Sequence, residues 1–319
     1  MLRHYESLGL VRPTGRTGSG YREYSGEDIR RIFHIESLRS LGLSLREVGR
    51  ALDDPGFTPS ALVDDLVRRT LARIAAETEL LTRLRRIGAA EPADWEDVLH
   101  VVALLQALAS DSAGQRQRAA LSSVDGVPVP VDALVEAALH ETDPNVAGAL
   151  RWALAQSGDS AVAPLAEGLR SPKAEVRERA VRAIAEIPTD EATTRLRDAL
   201  TDSDVAVRRS AALALGSRRV ADAIPTLVDM VVEEANDVDA ADALGTLAGD
   251  PAVAEQIATR IADRLTHGAV GPPARRRLAQ ALADIPGATA SRVLADLSRD
   301  EDRAVALTAT YVLTLRDAR

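Results

Sequence analysis

Residues 16–28 read RTGSGYREYSGED, and how this stretch folds decides how the amino-terminal fifty residues are built. A loose turn of Thr17, Gly18, Ser19 and Gly20 runs into Tyr21, Arg22 and Tyr24, which have β-like composition. Ser25 then offers an oxygen to the first free amides of a helix, and Asp28 stands where the macrodipole favours an anion. Upstream, LVRP (10–13) is the other short β-like run, so the two flank TGRTGSG as a predicted hairpin. Working outward, MLRHYESL (1–8) has helical composition and stops at Gly9. On the other side Ile29, Ile32, Phe33, Ile35, Leu38 and Leu41 recur at helical spacing up to Gly42. Ser44-Leu45-Arg46-Glu47 is a capping box that opens another helix, which Asp53-Asp54-Pro55-Gly56 breaks.

The order is helix, hairpin, helix, helix, in a segment of uneven charge. Residues 1–50 hold nine arginines and six acids, a net of +3, whereas the chain as a whole is −9. A basic end on an acidic body points to a local nucleic-acid footprint, while the overall charge argues against binding by the whole chain. Lys173 is the only lysine, which reads as the codon bias of a GC-rich genome. With no cysteine, disulfides, thiolate metal sites and thiol catalysis are excluded. No apolar run reaches the ~18 residues of a membrane span and no signal-peptide core is present, so a soluble cytoplasmic protein is expected.

LRHYESLGLVRP, GYREYS and DIRRIFHIESLRSLGLSLREV together resemble the winged helix-turn-helix domain of MerR-family transcription regulators over residues 1–52. The resemblance implies a wing along the DNA backbone, with Arg22 and Tyr24 on phosphates and Arg16 among the DNA-binding residues. It places Arg3 and Tyr5 on a recognition helix in the major groove; Tyr21 is expected to pack the wing onto its own domain. It also implies a further helix and turn ahead of residue 1. The expectation is therefore a start codon further upstream, and weaker DNA binding by this chain than by an extended one.

Residues 58–88 form one long amphipathic stretch in which Val67, Ile74, Leu81 and Leu84 lie on a seam of alternating three and four spacing. The seam suits a coiled coil or a helix packed on its own domain; the resemblance favours antiparallel homodimerisation. From about residue 95 a period near 31 emerges, with Val176 and Val207, Arg177 and Arg208, and Ala180 and Ala211 in register. These units resemble short bacterial HEAT repeats. Five or six helix pairs are expected, stacked into a solenoid, with Arg177 and Arg208 pairing to a neighbouring repeat's Asp. Trp95 and Trp152 are expected to pack. His100, His140 and His267 have no recognised metal spacing, and no catalytic constellation or cofactor motif stands out.

The expected architecture is thus mainly α: a DNA-binding domain with a small β-hairpin (1–56), a dimerisation helix (57–90) and an α-solenoid (91–319). The function expected is a dimeric regulator of double-stranded promoter DNA acting with RNA polymerase, and an unknown protein or small-molecule effector on the repeats. An interaction scaffold without DNA binding is the alternative. Short HEAT-like repeats also occur in bilin lyases, but no residues here support an enzyme.

Overall fold

The computed structural model describes residues 1–54, 56–123, 130–267 and 269–318. The chain is mainly α and divides into two compact units, Met1–Leu81 and Thr82–Arg319.

The first unit opens with α1 (Leu2–Ser7) and two antiparallel strands, β1 (Gly15–Arg16) and β2 (Arg22–Glu23), followed by α2 (Gly26–Ser40) and α3 (Leu45–Asp53). The predicted capping box of Ser44 with Glu47 forms at α3, and the predicted Ser25 cap of α2 forms as a second box, with Asp28 returning the bond. Gly9 and Gly42 follow α1 and α2 with φ of +70° and +94°, a left-handed conformation that costs glycine little. The hairpin differs from its sequence expectation. LVRP is not a strand; Leu10 and Val11 are buried core residues, and the first strand lies inside the Gly/Thr-rich segment. Apolar character in LVRP records burial against helices, not pairing with a neighbour. Tyr5, Leu10, Val11, Ile35, Leu43 and Val48 form the core of this unit. Leu62 and Leu66, from the start of α4 (Pro59–Ala89), pack against it.

Among the described residues, the second unit contains fourteen α-helices after α4, or seven consecutive pairs in chain order where five or six were expected. They are α5 (Trp95–Leu108) with α6 (Ala113–Ser122), α7 (Val131–His140) with α8 (Pro144–Gln156), and α9 (Asp159–Gly168) with α10 (Ala174–Ala185). Next come α11 (Asp190–Ala199) with α12 (Val205–Ser217), α13 (Ile224–Glu233) with α14 (Asp237–Leu247), α15 (Pro251–His267) with α16 (Pro272–Ala281), and α17 (Ala288–Leu297) with α18 (Arg303–Asp317). The Asp-x-x-Val-Arg texture of α12 is absent from α5, α6, α15 and α16. Even-numbered helices stack on even from α6 to α18, and odd stack on odd from α5 to α11 and again from α13 to α17. Between the layers runs one core of Leu, Ile, Val and Ala. Alanine lets the helices close up: at Gly216 a Cβ would lie 2.7 Å from that of Ala243.

Two arginine devices tie neighbouring pairs. In the first, Arg116, Arg177 and Arg275 each pair with a carboxylate twenty-five positions on: Arg116 and Arg177 fork onto Glu141 and Asp202 through Nε and Nη2, with Nε–O distances of 2.7 and 2.8 Å, and Arg275 donates to Asp300 through Nη2 at 2.9 Å. Each also donates to a backbone carbonyl just ahead of its own helix, those of Ser110, Ser171 and Val270. Arg177 therefore behaves as expected. Arg208 does not reach a carboxylate; it donates to the carbonyls of Asp202 and Ser203, and Glu233 is taken by Arg209. In the second device a guanidinium closes the end of the preceding pair. Arg218 donates to the carbonyls of Ile184, Ala185 and Ile187 and to Thr193, and Arg316 to those of Leu282 and Ile285. Trp95 and Trp152, expected to pack, are 79% and 45% exposed.

Candidate nucleic-acid interface

Tyr5 anchors α1. Its ring is 1% exposed, its hydroxyl donates to Glu36 at 2.6 Å, and Arg39 donates to the same oxygen at 3.1 Å. A ring so placed orients the helix and has no free edge for a DNA base. The expected groove contact of Tyr5 is corrected to a core position, because a six-residue helix needs one large side chain to fix its rotation on the domain.

Fixing Tyr5 inward leaves Arg3 and His4 exposed on the outer side of α1. Thr17 organises the hairpin tip: its N–H donates to the Tyr21 carbonyl at 2.8 Å, and its Oγ1 accepts from the Tyr21 amide at 3.1 Å. Gly20, at φ +82°, completes the turn and leaves Gly18 and Ser19 exposed. Tyr21 is 74% exposed, so it does not pack the wing down; its ring stands out beside the tip. The side chains of Arg3, Arg12 and Arg16 are exposed and make no hydrogen bond or ion pair among the described residues.

Arg22 and Tyr24 meet at one residue that the sequence did not single out, Glu6. Arg22 Nε donates to its carboxylate at 2.8 Å and the Tyr24 hydroxyl at 2.5 Å. The Tyr24 hydrogen bond and the Arg22 guanidinium hold the Glu6 carboxyl below its usual range, and the nearby Arg16 charge acts in the same direction. The same bond raises the Tyr24 phenol. Glu6 thus joins the helix that carries Arg3 to the strand that carries Arg22. No local signal could have found it, because its partners lie sixteen and eighteen residues away and an acid runs against the charge expected of a DNA surface.

A further link within this unit ties α3 to α4. Arg69 of α4 pairs with Glu47 of α3 at 2.8 Å, and also with Asp65 one turn before it. The Ser44 hydroxyl and amide, and then Arg69, lower the Glu47 carboxyl to about 2. Along α4, Val67, Ile74, Leu81 and Leu84 are 51%, 55%, 46% and 55% exposed. Among the described residues no cluster of His, Cys, Asp or Glu is arranged to hold a metal, and no helix is long and apolar enough to cross a membrane.

A basic edge made by a short helix and a Gly-rich hairpin, on a three-helix core, defines a helix-turn-helix regulator domain. Residues 1–54 match the model of the MerR HTH family regulatory proteins, and residues 162–248 match that of HEAT repeats. The chain is 37% identical over 87 residues to the HTH-type transcriptional regulator HmrR of Rhizobium leguminosarum bv. viciae, covering 27% of this chain and 67% of that one. It is 43% identical over 84 residues to the nodulation protein NolA of Bradyrhizobium sp. (strain NC92), covering 26% of this chain and 33% of that one. The chain belongs to the MerR family of transcription regulators. It spans about a third of the length of the NolA proteins it matches. A solved complex of CpcE and CpcF of phycocyanin lyase from Nostoc sp. PCC7120 superposes with a TM-score of 0.38 at 26% identity, over 47% of this chain and 96% of that one. So loose a superposition carries no functional argument.

Proposed function

We propose that this chain is a dimeric transcription regulator that grips duplex promoter DNA with α1 and the hairpin. The observation that carries the reading is the sharing of Glu6: one carboxylate on α1 holds Arg22 and Tyr24 of the wing, so helix and wing form a single surface. Arg3 and Arg16 are exposed cations on it. The exposed Val67, Ile74, Leu81 and Leu84 provide the seam for a second copy, whose twofold axis would present two such surfaces to a pseudo-palindromic site. Bending or untwisting that site would cost on the order of 1–6 kcal/mol, offset by interactions with the DNA backbone, so that RNA polymerase can engage it. The repeats would bind a protein or small-molecule effector, and the site of action would be the cytoplasm.

Fluorescence anisotropy with a duplex from the region upstream of its own coding sequence tests this. Affinity should fall steeply with salt, and Arg16→Ala should reduce the slope of log K against log salt by about 0.9, the value of one phosphate no longer neutralised. Unchanged slopes in both Arg3→Ala and Arg16→Ala would remove this edge from the interface. The scaffold reading, with no DNA binding, draws on exposed Trp152, Leu307 and Tyr311 on the repeats. Stable capture of a partner protein without promoter enrichment would favour it.

A further inference from the structure

We infer that Glu6 is a positioning residue for the wing, and that Tyr24 acts on DNA only through it. The inference rests on the DNA-binding reading above. A phenol has one proton to donate, and that of Tyr24 is given to Glu6 at 2.5 Å. Phosphate oxygens only accept. While the clasp stands, Tyr24 has nothing to offer a backbone phosphate. Arg22 is in a different position. A guanidinium carries five N–H donors in a planar fork, and only Nε–H is used by Glu6, at 2.8 Å. Its terminal nitrogens take no partner among the described residues and remain available for the two-pronged contact that phosphate prefers. Holding an arginine by Nε also fixes the plane of its fork. The Glu6 side chain is itself only 17% exposed, set between the two wing side chains with little freedom to leave. Division of labour follows: Arg22 touches phosphate, Glu6 aims it, and Tyr24 pins Glu6.

A double-mutant cycle on the full chain separates this from a direct Tyr24–phosphate hydrogen bond, using the same upstream duplex. Tyr24→Phe should weaken binding about 3- to 10-fold, the net effect of one typical hydrogen bond. In the Glu6→Ala background the same substitution should change nothing. Glu6→Gln, which keeps an acceptor oxygen, should restore the dependence on Tyr24. Arg22→Ala should lower the salt slope by about 0.9 and Tyr24→Phe should leave it unchanged, because only the arginine displaces a counterion. A Tyr24→Phe effect that persists undiminished in Glu6→Ala overturns the inference and leaves the DNA-binding reading intact, as does a wild-type chain indifferent to Tyr24→Phe. Absence of any salt-dependent binding by the wild type sinks both. Ultraviolet titration of the phenol, compared with Tyr24→Phe, reads the clasp without DNA: its raised pKa should fall back in Glu6→Ala.

Discussion

Arg218 should be among the costliest polar side chains to remove from the repeat unit. Its guanidinium faces no carboxylate among the described residues; four hydrogen bonds go to Thr193 and to the carbonyls of Ile184, Ala185 and Ile187, at 2.6 to 3.0 Å. Burial lowers its pKa, yet an arginine stays cationic at neutral pH. Of these carbonyls, that of Ala185 at the end of α10 has no other donor among the described residues, whereas those of Ile184 and Ile187 also accept from the amides of Ile187 and Thr189; a cation there also answers the helix macrodipole. Substituting Met keeps most of the stem's packing and removes the donors. Each buried acceptor left alone costs about 1–3 kcal/mol, but water will reach some of them, and removing a desolvated charge gives part back. We expect a net destabilisation of about 2–4 kcal/mol for Arg218→Met. For a unit of this size that is a fall in melting temperature of roughly 5–12 °C, readable by calorimetry or circular dichroism. A destabilisation below about 1 kcal/mol would refute the assignment of Arg218 as a structural plug.

Other expectations follow from the same geometry. Leu215→Ala, at a site with no exposure, should destabilise the repeats by about 2–5 kcal/mol in chemical denaturation. Ile74→Glu should turn the proposed dimer into a monomer in sedimentation at micromolar concentration; an unchanged mass would place the interface elsewhere. The acid limb of stability should come from Glu141 and Asp202, which Arg116 and Arg177 hold below their usual range. A carboxylate depressed in the folded state contributes fully above its unfolded pKa of about 4 and loses that contribution as pH falls through the folded value. Stability should therefore be level from pH 7 to about 5 on account of these groups and drop below about 4. A drop already complete by about pH 5 would contradict the two forks.

Helix ends and repeat spacing were legible in the sequence because their chemistry is local. Ser25, Ser44 and Glu47 signal their roles within four residues, and the thirty-one-residue register of Val176 and Val207 shows without knowledge of any contact. What depends on distant partners was not. Leu10 and Val11 look like strand residues until Ile35 and Val48 are placed beside them. Tyr5 reads as a groove contact in a basic helix, whereas Glu36 and Arg39, more than thirty residues on, draw it inward. Glu6 has meaning only once the hairpin returns to it. Trp152 reads as core by its bulk, yet it sits on the outward face of α8, where Val146, Ala149, Leu150, Ala153 and Leu154 already fill the inner one.

The arginine forks have a mechanical side. They join α6 to the next pair and α10 to the next, and Arg275 ties α16 to the next, but α8 carries Ala147 at the same place, and Arg208 on α12 makes no such fork. Rivets are thus set at irregular intervals along a rod whose segments otherwise grip only their neighbours. Among the described residues the α8–α10 step has no fork and is held by the single bond from Arg179 to the Leu139 carbonyl, so hydrogen exchange should show it loosening before the α10–α12 step, which carries the Arg177–Asp202 fork. A molecule clamping that softer joint would stiffen the rod where it yields most easily.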